Sequence, residues 1–302
     1  MKNPWKDAWT LMRIPFSVFL MPVFWMSLAA LPASQIRFLP CLAVFSILHF
    51  LIYPASNGYN SLIDKDEGPI GGIEKPPKPN LQLQILVLIF DVLGLAWSFL
   101  HDVYFGFCVA VYWLMSKAYS HPAIRLKKFS WLSWLVVAVF QGGWTVLMVW
   151  TGAMQTGKNG EAWPDPNWLA VASLFMAGSY PLTQIYQHSE DSKRGDNTLS
   201  ILLGIRGTFL FSGIFIALGS ALMFLQIWQQ SESPAGIALM ALSAMPSLYF
   251  FNRWALKCIK DPAEANYRNT MQFNRVSSLG LSLGFFLLLC LKIWGNSLPL
   301  QP

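Results

Sequence analysis

Long uncharged runs alternate along the chain with short charged ones. The uncharged runs are each close to the roughly 20 residues that a helix needs to cross a bilayer. Such windows fall near 14–32, 38–56, 82–100, 103–119, 131–151, 167–187, 207–228, 234–251 and 275–297. The pattern predicts an all-α integral membrane protein, a single polytopic domain over 1–302 with about nine transmembrane helices. No polar run is long enough for a separate soluble domain. The first window follows Lys2, Lys6 and Arg13, as a secretory signal would. With eight more spans behind it, it is expected to remain as the first membrane helix.

Composition agrees. Only 12% of the 302 residues are charged and 54% are hydrophobic, whereas a soluble protein carries about 25% charged residues. The four cysteines (Cys41, Cys108, Cys258, Cys290) have no metal or disulfide spacing and read as packing residues. The net charge of +6 could suggest nucleic acid. In a membrane protein the same excess belongs to cytoplasmic loops facing anionic lipid, so the expected partner is membrane lipid and no nucleic acid.

Charge also orients the bundle. With the N-terminus inside, the outer side keeps Arg37, Lys158 and Lys292, and every other lysine and arginine falls inside. An odd helix count then puts the C-terminus outside. The expected location is a bacterial inner membrane. Three polar segments share the cytoplasmic side: Asn57–Pro79, Ser116–Ser130 and Tyr186–Gly207. They are expected to close over a lipid-accessible cavity as cap loops, Gly68–Gly72 giving flexibility and Lys75–Pro79 stiffness.

The acids gather in two of these segments. Asn60 and Asp64 stand four apart, as do Gln187 and Asp191. At a helix end that spacing stacks two side chains on one face. Asp66 and Glu67 sit beside the first pair, Glu190 and Asp196 beside the second. Two facing carboxylate clusters repel unless something positive lies between them. Magnesium suits such oxygen donors, taking one or two carboxylates and the rest from water and phosphate. A diphosphate bridged by such ions would account for Arg125, Lys127 and Arg194 nearby. The alternative is a solvated loop whose acids balance its lysines.

These segments resemble the UbiA superfamily of intramembrane prenyltransferases. "AYSHPAIRLKKFSWLSWLVVA" (Ala118–Ala138) is similar to the family's YSxPPxRLKR segment. "DSKRGDNTLSILLG" (Asp191–Gly204) is similar to the end of its second aspartate motif. The resemblance implies nine or so helices and magnesium-dependent transfer of an isoprenyl group from a prenyl diphosphate to a lipophilic acceptor, aromatic or of quinone-precursor type. It implies Asp64 and Asp191 as catalytic acids, with Asp66, Glu67 and Glu190 completing the metal ligands. Asn57, Asn60, Arg125, Lys127, Gln187 and Arg194 are implied as substrate-binding residues. The chain departs from the pattern in two places. Gln187 stands for the first aspartate of DxxxD, and Gly68 falls where the last acid of the first motif belongs when Asn60 leads; Asn57 is the other candidate to lead.

Weaker features remain. Asp91 lies inside the third window and could orient an acceptor or serve structure. His49, Gln141 and Gln184 read as structural, and Gly280 with Gly284 as a helix-packing GxxxG. A terpene cyclase or diphosphate lyase on the same scaffold needs the same ionisation. A transporter would place its polar site at mid-membrane rather than at one surface.

Overall fold

The computed structural model describes residues 3–159, 163–231 and 234–297, and all of its regular elements are helical. Nine long passages run back and forth. They are α1 (Pro4–Ala30), α2 (Phe38–Asp64), α3 (Leu81–His101), α4 (Val103–Ser120), α5 (Ser130–Met154) and α6 (Pro166–Gln184). After the short α7 (His188–Arg194) follow α8 (Leu199–Ser231), α9 (Pro234–Lys260) and α10 (Tyr267–Ser297). Seven of the nine are long and apolar enough to cross a membrane by length and composition. The other two, α4 and α6, are diluted by Tyr112, Ser116 and Ser120 and by Ser179, Tyr180 and Gln184, all of which line an internal cavity.

Local chemistry sets the ends. The Asn3 side chain accepts the Trp5 and Lys6 N–H groups and starts α1 at Pro4, ten residues earlier than the hydropathy window. Asn80 caps α3 and the buried Asp102 caps α4 in the same way. Four passages are irregular inside, α8 among them, where the backbone kinks at Gly204 (φ +66°). α1 tightens to a 3₁₀ stretch over Ile14–Leu20, while α2 and α5 widen to π turns over Ile47–Ile52 and Ala138–Gly143. Tyr53 leaves the first π turn, and Phe140 and Gln141 stand on the second; all three face the cavity. This placement matches the tendency of π turns to mark working sites.

Small residues let helices meet closely. A Cβ on Gly142 would lie 2.6 Å from the Ser173 Cα of α6, and one on Gly280 2.5 Å from the Ser243 carbonyl oxygen of α9. The GxxxG of α10 is thus a packing face, as expected. Near the C-terminal end of α10 the Lys292 ammonium donates to the carbonyls of Ala29 (3.0 Å) and Leu31 (2.6 Å), and Trp25 meets Phe286 edge-on. The first passage is tied to the last.

Some expectations change. Gly68–Gly72 is not a flexible hinge: Ile70 and Ile73 pair across a tight turn, and Ile70 is buried against Ala8, Leu11 and Met12. Asp91 is structural; its carboxylate meets the Lys117 ammonium at 2.6 Å, and that ammonium lies 4.4 Å from the centre of the Tyr59 ring. His49 is enclosed by Phe24, Phe45 and Tyr53, and Cys41, Cys108 and Cys258 are buried free thiols.

Two outcomes follow. Gly280→Ala should cost about 1–3 kcal/mol by overpacking, whereas Gly213→Ala, whose Cβ would meet only Phe251 ring atoms at 3.6 Å, should be close to neutral in thermal unfolding. Asp91→Ala should cost about 3–5 kcal/mol by leaving Lys117 unpaired in the membrane, and Asp91→Leu with Lys117→Met should recover most of it. Equal melting temperatures for Asp91→Ala and the double variant would refute the pairing argument.

Candidate functional site

One end of the bundle opens into a cavity of about 990 Å³. Its mouth is polar and its depth is not. α2 continues as helix through the stretch expected to be loop, and ends after Asp64 where Lys65 turns left-handed at φ +52°. Asn57, Asn60 and Asp64 therefore stand at i, i+3 and i+7 on one helical face, and all three line the cavity. Across the mouth α6 ends at Gln184, Gln187 begins α7, and Gly195 closes it at φ +73°. This short helix holds Asp191 on the opposite wall, with Asp196 just beyond it. Asp66 reaches the same mouth.

Four carboxylates thus face one space, and cations from the intervening segments meet three of them. Lys127 donates to Asp64. The Arg125 guanidinium grips Asp196 at two points, Nε to Oδ1 at 3.0 Å and Nη2 to Oδ2 at 2.8 Å, and lies 3.8 Å from Asp64. Arg194 joins Asp66 at 2.5 Å and also pairs with Glu190. Among the described residues Asp191 is in no ion pair. Burial, reinforced by the Asp196 charge, pushes its carboxyl up to about 7. Asp66 is raised too, by burial against the opposing pull of Arg194.

The loops are stitched to one another. Glu190 accepts the N–H groups of Glu67 (3.1 Å) and Gly68 (3.4 Å), and the Gln187 amide donates to the Pro69 carbonyl at 3.4 Å. A Cβ on Gly68 would lie 2.5 Å from the Glu190 carboxylate. The position where the resemblance asks for an acid is thus filled from the other loop. On the far side Phe129 pairs with Asn197, and Ser130 donates to the Asn197 carbonyl.

Asn57, Asn60, Asp64, Asp66, Lys127, Gln187, Asp191 and Arg194 all line the cavity, which brings most of the sequence candidates together. Glu67, Glu190 and Arg125 do not line it. Glu67 is exposed and contributes only its backbone, Glu190 clamps the loops, and Arg125 is committed to Asp196. Three further groups at the cavity carried no strong signal in the sequence. Arg13, used above only as a topological charge, is buried on the cavity wall and donates to the Asn57 carbonyl at 3.1 Å. Tyr119 and Tyr180 share a hydrogen bond between hydroxyls below the acids, and Gln184 donates to Tyr180 at 2.8 Å. Gln184 and Gln141 line the cavity rather than serving packing alone. Deeper still the walls turn apolar, with Met26, Phe140, Phe175, Met223 and Phe285.

Among the described residues no three histidine, cysteine or acidic side chains converge into a self-sufficient metal site. The donors at the mouth are all oxygens, carboxylates with the Asn57 and Asn60 amides beside them. That set fits hard cations that take one or two protein ligands each and complete their shells from water and phosphate.

No curated protein matches the chain. Solved structures do. A UbiA homologue from Archaeoglobus fulgidus bound to GPP and Mg2+ superposes with a TM-score of 0.65 at 14% identity, covering 95% of this chain and 100% of that one. An apo UbiA homologue from Aeropyrum pernix K1 gives 0.64 at 17% identity, with 95% and 99% covered. A digeranylgeranylglyceryl phosphate synthase gives 0.59 at 16%, with 95% and 100% covered. At these identities the likeness establishes the fold. The UbiA prenyltransferase family model matches residues 19–277. Sequence and fold agree, and the chain belongs to the UbiA prenyltransferase family.

Proposed function

We propose that this protein transfers an isoprenyl group from a prenyl diphosphate to a lipophilic acceptor, aromatic or of quinone-precursor type, in a magnesium-dependent reaction at the cytoplasmic face of a bacterial inner membrane. The N-terminus lies inside and the C-terminus outside. The observation that carries the reading is the polarity of the cavity: Asp64 and Asp191 face each other across a mouth whose floor is aromatic and apolar. A diphosphate belongs at such a mouth and a prenyl tail below it. The GPP and Mg2+ held by the Archaeoglobus homologue support this placement.

Asp64, Asp66 and Asp191 are the proposed ligands, with Asn57 and Asn60 as neutral oxygens beside them. Bound Mg2+ neutralises charge on the departing diphosphate as the allylic carbon–oxygen bond breaks. Lys127 and Arg194, held by Asp64 and Asp66, stand where they can turn hydrogen bonds to phosphate oxygens. Arg125 acts one step back, fixing Asp196 and the loop behind Asp191. Below, the faces of Tyr119, Tyr180 and Phe140 border the place where the allylic cation forms, and aromatic faces stabilise cations. The apolar depth keeps water from capturing it.

Asp64→Ala and Asp191→Ala should each lower kcat by on the order of 10²-fold or more, the loss typical of removing one electrostatic anchor. The assay is labelled prenyl diphosphate with a membrane lipid extract, and product mass distinguishes transfer from cyclisation. Full turnover in Asp191→Ala would refute its place in the site. A second outcome concerns pH. Because the Asp191 carboxyl titrates near 7 without metal, protons compete with magnesium below that pH and not above it. Apparent magnesium affinity should rise about tenfold per pH unit below 7 and then level off. Calorimetry in buffers of different ionisation enthalpy should show proton release at pH 6 that disappears in Asp191→Asn; a flat pH profile would contradict this.

A further inference from the structure

Several hydroxyls of the bundle are satisfied by their own helices: Ser27 donates to the Val23 carbonyl, Thr151 to Leu147 and Ser179 to Phe175. The face that α10 turns to the cavity is different. Asn274, Ser277 and Ser278 line the cavity at i, i+3 and i+4, on one side of the helix. Among the described residues none of these three side chains makes a hydrogen bond. Yet Asn274 is only 8% exposed and Ser278 only 6%. The Ser247 hydroxyl of α9, another lining residue, is also buried without a partner. It lies 3.7 Å from where a Cβ on Gly280 would stand, one turn from Ser277.

These groups have a definite depth. Tyr267, which starts α10, meets the Tyr186 ring edge-on at 5.4 Å, one residue before Gln187 at the mouth. Asn274 follows about 10 Å further along the helix, at 1.5 Å per residue. Past Ser278 the same face becomes apolar with Leu281 and Phe285. Ser17, itself 6% exposed, adds a hydroxyl from the 3₁₀ stretch of α1, which packs on α10. Among the described residues no charged side chain of α8, α9 or α10 lines the cavity. The polar patch is therefore neutral, and it stands apart from α2 and α7, which carry Asp64 and Asp191.

Unpaired polar groups at membrane depth are costly, and a cavity that keeps them suits a ligand with matching groups. Prenyl diphosphate is not that ligand. Its head belongs with the cations at the mouth, and its tail has no polar atoms. What remains is the acceptor. We propose that Asn274, Ser277 and Ser278 form the acceptor subsite, and that it selects an aromatic ring bearing un-ionised hydroxyl groups. A carboxamide and a serine hydroxyl each donate and accept, so the set can pair with ring hydroxyls in either sense. A carboxylate finds no cation on this wall and would lose its hydration without return. The Arg13 guanidinium is turned toward α2, where it donates to the Asn57 carbonyl. This rests on the prenyl-transfer reading, to which it adds the class of acceptor and the residues that choose it.

The test is calorimetric binding to the full-length protein in nanodiscs, with empty nanodiscs as reference. The protein is first loaded with magnesium and geranylgeranyl S-thiolodiphosphate, whose bridging sulfur resists cleavage. Three ligands of similar size are then compared without oxygen: naphthalene-1,4-diol, 1,4-dimethylnaphthalene and 1-naphthoate. Wild type should bind the diol at least roughly tenfold more tightly than either of the others, as a site does when its polar groups are matched rather than left unpaired. Asn274→Leu and Ser277→Ala/Ser278→Ala should each weaken the diol about fivefold, the loss of a typical hydrogen bond. Both should hold the dimethyl compound and the thiolodiphosphate within about twofold of wild type, since neither ligand bonds these side chains. Without ligand both should unfold at the wild-type temperature or above, because no native hydrogen bond is lost. Equal binding of diol and dimethyl compound by wild type would overturn the subsite, as would a preference that survives in both variants. Tighter binding of the naphthoate would hand recognition to Arg13 and overturn it too. Lowered melting temperatures in both variants would assign these residues to packing instead. Failure of the wild-type protein to bind the thiolodiphosphate would overturn the prenyl-transfer reading itself.

Discussion

Everything at the mouth of the cavity answers to one electrostatic constraint: four carboxylates share one half-buried space and cannot all be charged there unaided. Lys127, Arg125 and Arg194 each meet an acid, and each comes from a segment that the chain must bring in from elsewhere. The loops are ordered because their charges need one another. Asp191, which lacks such a partner, responds by holding its proton to about neutral pH. A ligand that brings both cations and phosphate exchanges these pairs rather than creating new ones. That exchange lets the mouth keep its shape while its occupants change.

The constraint also accounts for the parts of the helical framework that hydropathy underestimates. α4 and α6 are the two long passages that fall short as membrane spans, and they supply the hydroxyls and amides beneath the acids. A helix that turns one face to a polar cavity must look less apolar than one packed wholly among lipids. The same economy appears in α2, where Asn57, Asn60 and Asp64 are polar enough to resemble a loop yet sit on the helix itself.

The order and number of long helices were legible in the sequence because a bilayer imposes length and apolarity on every crossing. The positions of Asp64 and Asp191 were legible because an i,i+4 step survives whether the surrounding segment is read as loop or helix. Helix ends were less so. Pro4, Asp64 and Leu199 lie well beyond their apolar windows, since capping and tertiary contacts, not hydropathy, decide where a helix stops. Glu67 and Glu190 lie off the cavity lining for a related reason. Adjacency in sequence says nothing of which acid turns inward, and Glu190 is claimed by two backbone N–H groups from a loop more than a hundred residues away. Arg13 was hidden by its setting, because a cation at the start of a span is expected to meet lipid headgroups.

The tie between Lys292 and the carbonyls of Ala29 and Leu31 has a bearing on biosynthesis. α1 emerges from the ribosome before α10, so the seam between them closes only after all the helices between have been made. Until then the Met26 side of the chamber lacks Phe285 opposite it, and the interior stays open to lipid along that edge. An insertase or chaperone that shields α1 during this interval would be guarding an unfinished reaction chamber, and the ammonium of Lys292 is the latch that ends its task.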